Sequence, residues 1–210
     1  MKISPTLTEV KEIAKTGKYD ILPVSCEILS DFITPIEAMR ILQNVSTHCY
    51  LLESAQANEA WGRYTFLGYD PKLEINCIDG HMKLGKLSVE TENPSEYIRQ
   101  ILSEYKSPKF DYLPSFTGGL VGYFSYDYLG YKEKSIRGKA RDTEDFKDVD
   151  LMLFDKVIAF DNLCQKIILI ANMSLDAPET GYNKAIVELK QLRELLMHGE
   201  KKQNMGGKLM

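Results

Sequence analysis

Two short apolar runs joined by a polar connection, within residues 49–68, constrain the fold more than any other stretch of the sequence. Side chains of an extended strand alternate between its two faces. Leu52 and Ser54 therefore share one face of the first run, and Glu53 lies on the other. Arg63 begins the second run. If the two runs pair as antiparallel strands, we expect Ser54 and Glu53 to lie close to Trp61 and Arg63.

The chemistry of this predicted cluster favours one class of ligand. An acid, a hydroxyl, a guanidinium and an indole would surround a single pocket mouth. Such groups suit a zwitterion with an apolar body, because the arginine can bind a carboxylate and the acid can bind an ammonium. The sequence therefore predicts a site for an amino acid.

Each of these side chains also has a purely structural interpretation. Ser54 could simply end a strand, and Glu53 could lie on a solvated face. Arg63 could form a salt bridge with Glu53 or Asp70, and an amphipathic tryptophan is common at the edge of a core. Leu52 is expected in the core under either interpretation.

Composition excludes several classes of protein. A chain of 210 residues is long enough to bury a substantial core as one domain. The net charge of -4 argues against a nucleic-acid binder, which usually carries a basic face. No apolar run approaches the ~20 residues of a membrane span, and the N-terminus lacks the apolar segment of a signal peptide. A cytoplasmic location is the expectation.

The sequence contains no recognisable centre for metal binding or covalent catalysis. The four cysteines, Cys26, Cys49, Cys77 and Cys164, form no Cys-x-x-Cys pair and are predicted to be reduced and mostly buried. The three histidines are scattered along the chain. No nucleophile and base occur in a known catalytic pattern. We expect no catalytic residue, metal ligand or cofactor site in this chain.

Local signals predict several helices. Thr6 with Glu9, and Thr34 with Glu37, are spaced as capping boxes at the starts of helices. A long amphipathic helix is predicted over 176–197. Its apolar stripe would contain Ala185, Leu189, Leu192 and Leu196.

Other signals predict strands and tight turns. Asp79-Gly80 is expected to form the turn of a hairpin over 72–84, because glycine accepts a positive φ. The glycines at 118, 119 and 122 favour a strand with close backbone packing over a phosphate loop. Residues 150–160 are predicted to be one strand, which would pair with 166–172. Together these elements predict an α+β fold of mostly antiparallel sheets with flanking helices.

Three segments carry a family resemblance. Leu51-Leu-Glu-Ser54, followed by Gly62-Arg-Tyr-Thr-Phe-Leu-Gly68, closely resembles the N-terminal region of anthranilate synthase component I. The stretch 114–127 contains Gly118-Gly-Leu-Val-Gly-Tyr123, which is similar to a glycine signature of that family. Residues 150–161 resemble the strand that follows it. The segments occur in family order over nearly the whole chain, so the resemblance implies the N-terminal domain of that fold.

The resemblance implies a regulatory role. In this family the Leu-Leu-Glu-Ser segment helps to bind tryptophan as a feedback inhibitor, so the implied site contains Leu52, Glu53, Ser54, Trp61 and Arg63. The enzyme converts chorismate to anthranilate and pyruvate, using ammonia from a glutamine amidotransferase partner. Chorismate and Mg²⁺ are held by a C-terminal domain whose motifs do not occur here. The chain is therefore expected to be a regulatory domain over 1–199, followed by a linker or tail over 200–210, and to be inactive alone.

Two alternatives stay open at this point. Component I of aminodeoxychorismate synthase, in folate synthesis, shares the fold. A free-standing domain that senses an amino acid would have no catalytic partner at all. The Leu-Leu-Glu-Ser segment favours the tryptophan pathway.

Overall fold

A computed structural model describes residues 1–53, 62–133, 135 and 146–202. These residues form two compact units, and each unit is built from segments that alternate along the chain. The first unit contains Met1–Asp70, Ser107–Thr117 and Asp155–Met210, and the second contains Pro71–Lys106 and Gly118–Phe154. The predicted extent of a single regulatory domain over 1–199, with a tail over 200–210, stays a prediction.

The first unit contains a sheet of six strands in its described residues, in the order β1-β2-β11-β10-β4-β3. Every neighbouring pair is antiparallel. Its strands are β1 (Ile3–Ser4), β2 (Ile21–Leu29), β3 (Cys49–Leu52), β4 (Tyr64–Tyr69), β10 (Lys156–Asp161) and β11 (Lys166–Ser174). Its helices are α1 (Leu7–Lys15), α2 (Pro35–Val45) and α4 (Pro178–His198).

The core of the first unit follows from the alternation of side chains along the strands. Ile158 and Phe160 of β10 pack with the three helices, whereas Val157 and Ala159 pack with Leu113 and Phe116 of the 107–117 segment. Both faces of this sheet are therefore covered. The predicted stripe of α4 is confirmed, because all four of its members are buried in this core.

The second unit is built on a sheet whose described strands run in the order β7-β6-β5-β9-β8. Its elements are β5 (Leu73–Ile78), β6 (His81–Leu84), β7 (Leu87–Glu90), α3 (Pro94–Ser103), β8 (Gly119–Phe124), a 3-10 helix (Tyr126–Tyr131) and β9 (Val149–Phe154). The core lies between one face of the sheet, with Ile75, Cys77 and Leu151, and the side chains of α3 and the 3-10 helix.

Several local predictions are confirmed. Both threonines accept a hydrogen bond from the backbone N–H three residues later, and the glutamates complete the capping boxes. Asp79 and Gly80 have φ of 49° and 86° and join β5 to β6. Gly122 allows the predicted close packing, since a Cβ there would lie 2.9 Å from Leu151 Cα. The α+β class with antiparallel sheets is likewise confirmed.

The prediction of one strand over 150–160 is wrong. Its residues divide at Asp155 between β9, which pairs with β5 and β8, and β10, which pairs with β4 and β11. Asp155 is the break, and its carbonyl accepts hydrogen bonds from the backbone and side-chain N–H groups of Asn172. A continuous apolar run does not reveal which sheet each half joins.

The cysteines differ in exposure. Cys26 and Cys77 are buried, Cys49 is partly buried and Cys164 is exposed, and all four are free thiols. Burial raises the pKa of the Cys26 thiol to about 11. The described residues contain no group of three His, Cys, Asp or Glu side chains that could hold a metal ion. None of the helices described is long and apolar enough to cross a membrane.

Candidate functional site

β3 and β10 end, and β4 begins, at the same end of the first sheet. β3 ends at Leu52, which pairs with Phe66 of β4. β10 ends at Asp161, which pairs with Tyr64 at the start of β4. Because neighbouring strands lie ~4.8 Å apart, the ends of β3 and β10 are each close to the start of β4, which lies between them. β3 forms the edge of this sheet within the described residues.

Arg63 and Asp161 form a bidentate ion pair at this end of the sheet. The Nε of Arg63 donates to Asp161 Oδ1 at 3.1 Å, and its Nη2 donates to Oδ2 at 2.7 Å. Two parallel hydrogen bonds of this kind fix direction as well as distance. The backbone N–H of Asn162 also donates to the carbonyl of Arg63 at 2.9 Å. The start of β4 is thus held to the end of β10 through both backbone and side chain.

The Asp161 carboxylate is buried yet fully engaged. Its side chain has no exposed surface, and Oδ1 also accepts hydrogen bonds from the backbone N–H groups of Leu163 and Cys164. Burial by itself raises the pKa of this carboxyl, but Arg63 and the Cys164 N–H outweigh burial and lower that pKa to about 2. The hydrogen bonds to Asp161 raise the pKa of Arg63 above its usual value. Both groups are charged at neutral pH.

One aromatic ring contacts the ion pair, and two more extend from that ring. The guanidinium carbon of Arg63 lies 4.9 Å from the centroid of the Tyr64 ring, a distance at which a cation and a ring attract each other. Tyr64 contacts Phe66 with ring centroids 5.8 Å apart, and Phe66 in turn meets Phe116 edge-to-face. This part of the site combines a fixed cation with an apolar wall.

Leu52 and Glu53 are exposed at the end of β3. The expectation that Leu52 belongs to the core is wrong, because 46% of its surface is exposed. Leu52 is the last residue of β3, and it belongs to none of the apolar clusters found among the described residues. An apolar side chain and a carboxylate are therefore accessible at the end of β3.

The other two predicted site residues, Ser54 and Trp61, lie outside the described residues. The structure places Leu52 and Glu53 at the end of β3, and Arg63 directly before β4, the antiparallel partner of β3. Arg63 also has a partner that the sequence interpretation did not name, since neither Glu53 nor Asp70 but Asp161 pairs with it. Asp70 instead pairs with Lys156 at 2.8 Å.

Asp161 is the functional candidate that sequence reasoning missed. Its position after an apolar strand favours a role in a turn or on a solvated face, whereas the structure places it in a buried ion pair. The only sequence signals were a lone arginine and a lone aspartate at the ends of two predicted strands. Those signals do not indicate that Arg63 and Asp161 pair, because the two residues lie 98 positions apart in the chain.

A cavity lies elsewhere in the first unit. Its volume is about 430 Å³, and it lies between α1 and the 107–117 segment. Its lining residues are Ser4, Pro5, Thr8, Glu9, Glu12, Ile13, Phe110 and Tyr112. Among the predicted site residues that the structure describes, Leu52, Glu53 and Arg63 do not line this cavity.

Comparison with known proteins identifies the relatives of the chain. It is 34% identical over 198 residues to anthranilate synthase component 1 of Acetivibrio thermocellus, and 36% identical over 196 residues to that of Pseudomonas aeruginosa. These alignments cover 91% and 90% of the chain. The resemblance to anthranilate synthase component I is confirmed.

The solved structures agree with this relationship. A crystal structure of anthranilate synthase component I from Streptococcus pneumoniae matches 79% of the chain with a TM-score of 0.51 and 25% sequence identity. The match covers 36% of that component I chain, and the alignments cover 39% of each curated relative. The chain therefore spans about two fifths of the length of the component I proteins that it matches. No family model matches it.

Proposed function

We propose that this chain is the N-terminal regulatory part of an anthranilate synthase component I and contributes to a site for L-tryptophan. The observation that carries the proposal is that β3, which ends one residue before Glu53, pairs with β4, which begins one residue after Arg63, and that Asp161 fixes the Arg63 guanidinium. The component I relatives, which carry the anthranilate synthase name, favour this pathway over the folate branch.

The geometry supports an amino acid as the ligand. Glu53 and Arg63 carry opposite charges on neighbouring strand ends, so one can face an ammonium and the other a carboxylate. Leu52 and the ring of Tyr64 offer apolar surface for the body of the ligand. In the proposal, Ser54 and Trp61 complete the contacts from the connection between the strands.

The whole protein would convert chorismate and ammonia to anthranilate and pyruvate, and would act in the cytoplasm. A glutamine amidotransferase subunit would supply the ammonia. A separate chorismate-binding region, holding Mg²⁺, would perform the chemistry, so the 210 residues alone would be inactive. Tryptophan would favour a conformation that binds chorismate poorly. Couplings of this kind are typically about 1–3 kcal/mol, and they act in both directions.

The first experiment measures chorismate turnover by the purified 210-residue chain and by the protein from its complete reading frame. We expect no turnover by the chain. We expect turnover by the complete protein with ammonia, and inhibition by tryptophan. Any chorismate turnover by the chain alone would contradict the proposed division of roles. A complete protein whose turnover is not inhibited by tryptophan would contradict the regulatory site.

A second experiment localises the effector site. Ser54→Ala in the complete protein is expected to raise the tryptophan concentration needed for inhibition about tenfold, with little change in uninhibited turnover. Loss of one charge-assisted hydrogen bond has about this effect. The matched control is Ser88→Ala on β7, where the serine is exposed. Equal inhibition of both variants and the wild type would place the tryptophan site elsewhere.

A further inference from the structure

The Arg63 guanidinium is only partly used by its ion pair. Its Nε and Nη2 face Asp161, and Nη2 also lies 3.6 Å from the Sγ of Cys164. Within the described part of the chain, Nη1 has no hydrogen-bond partner, and 34% of the side chain is exposed. Because the guanidinium is planar and rigid, fixing one edge also fixes the direction of the two Nη1 N–H groups.

Asp161 is well suited to hold that orientation. Its carboxylate is buried, and the backbone N–H groups of Leu163 and Cys164 donate to Oδ1 at 3.2 and 3.0 Å. A carboxylate held by two backbone donors has little freedom to move with its partner. The orientation of Arg63 is therefore determined by the end of β10.

The location of the Nη1 group gives this arrangement a use. Arg63 lies directly before β4, the antiparallel partner of β3, and Leu52 at the exposed end of β3 pairs with Phe66, three positions after Arg63. A ligand whose ammonium meets Glu53 could therefore extend its carboxylate toward Arg63.

We propose that Asp161 is a positioning residue for effector recognition, holding Arg63 so that its Nη1 N–H groups bind the carboxylate of an amino acid. This inference rests on the proposed tryptophan site and assigns to Asp161 a role that acts through Arg63. Preorganised donors bind more tightly because little side-chain entropy is lost on binding. A free arginine would have to be ordered by the ligand itself.

The test uses the 210-residue chain and NMR, since a weak ligand still shifts resonances at millimolar concentration. The Nε–H signal of Arg63 is followed during titration with L-tryptophan, and separately with tryptamine, which has the same indole and ammonium but no carboxylate. We expect tryptophan to shift the Arg63 signal and tryptamine to leave it in place. We also expect tryptophan to bind about tenfold more tightly than tryptamine.

Two variants and a control examine the positioning role. Asp161→Asn is expected to remove most of the preference for tryptophan over tryptamine while retaining tryptamine binding. If Asp161→Asn does not fold, Arg63→Lys replaces it as the test. Lysine keeps the positive charge but lacks the planar set of N–H donors, so we expect this variant to lose the same preference. Asp70→Asn removes a carboxylate from the exposed pair with Lys156 and should retain the preference of the wild type. A purely structural role would weaken both ligands alike.

The outcomes separate this inference from the proposed function. If tryptophan shifts backbone signals near Leu52 and Glu53 but not Arg63, the inference fails and the effector site stands. It also fails if a folded Asp161→Asn, or Arg63→Lys in its place, keeps the wild-type preference. If tryptophan shifts no signal at all, the proposed site fails together with the inference.

Discussion

Gly68 lies against the aromatic ring of Tyr50. The two residues pair across β3 and β4, and a Cβ at Gly68 would lie 2.7 Å from Tyr50 Cζ. Tyr50 is buried, and its ring also meets Phe116 edge-to-face with centroids 6.3 Å apart. The absence of a side chain at Gly68 therefore lets a large ring cover the edge of the sheet next to the candidate site.

Gly68→Ala is expected to lower the free energy of unfolding by about 1–3 kcal/mol, because the added methyl group overpacks a buried contact. Urea denaturation measures the change. In a Tyr50→Val background the same substitution should lower the free energy of unfolding by clearly less, because the ring that the methyl group would contact is absent. Equal costs in the two backgrounds would show that the ring is not the cause.

The Arg63–Asp161 ion pair makes stability depend on pH. The pKa of Asp161 is lowered to about 2 in the folded chain from an ordinary value of 3.8. A carboxyl with a lowered pKa stabilises the fold above its unfolded pKa, and that contribution disappears as the pH falls through the folded pKa. The contribution is about 2 kcal/mol, present at neutral pH and lost between about pH 4 and pH 2.

Asp161→Asn tests this dependence. The variant is expected to be less stable than the wild type at pH 7 by about 2–3 kcal/mol, because a buried charge pair loses one partner. This difference in stability should narrow as the pH falls toward 2, where about half of the wild-type carboxyl is itself protonated. Denaturation is measured at several pH values, with Asp70→Asn as the exposed control. A gap that does not change with pH would contradict the lowered pKa.

The apolar stripe of α4 anchors the helix to the first sheet. Leu189 has no exposed surface, so Leu189→Ala leaves a cavity and should lower the free energy of unfolding by about 2–5 kcal/mol. Val187 lies on the same helix but is 51% exposed. Val187→Ala should therefore change stability by no more than about 0.5 kcal/mol. Similar losses in the two variants would mean that α4 is not packed as described.

A hydrogen-bond network holds the hairpin turn of the second unit. The Tyr131 hydroxyl accepts from the Gly80 N–H and donates to Asp148, each at 2.6 Å. Asp148 also accepts from the Asp79 N–H at 2.8 Å. Tyr131→Phe leaves the Gly80 N–H without this acceptor. We expect the free energy of unfolding of the second unit to fall by about 1–3 kcal/mol.

Amide hydrogen exchange provides the measurement, and the Gly80 amide should exchange faster in Tyr131→Phe. Tyr126→Phe is the matched control, because Tyr126 is 79% exposed. Unchanged exchange at Gly80 would show that the turn is stable without this hydroxyl.

The candidate site could be predicted only in part. The alternation of residues 49–54 and 63–67 predicted the pairing of β3 with β4, which the structure confirms. It could not predict that Leu52 is exposed, because periodicity assigns Tyr50 and Leu52 to one face of β3 but does not show how far along the strand that face is covered. The roles of Ser54, Glu53, Leu52, Trp61 and Arg63 in tryptophan binding stay predictions.

The sequence by itself determined the features whose causes are local. The starts of α1 and α2, the Asp79-Gly80 turn and the buried stripe of α4 each depend on residues a few positions apart, and the chain encodes them directly. Only the tertiary structure decided that the run through Asp155 divides between two sheets and that Arg63 pairs with Asp161. Both outcomes depend on which distant strands pair and in which register, and the free energy that selects them comes from burial across the whole unit.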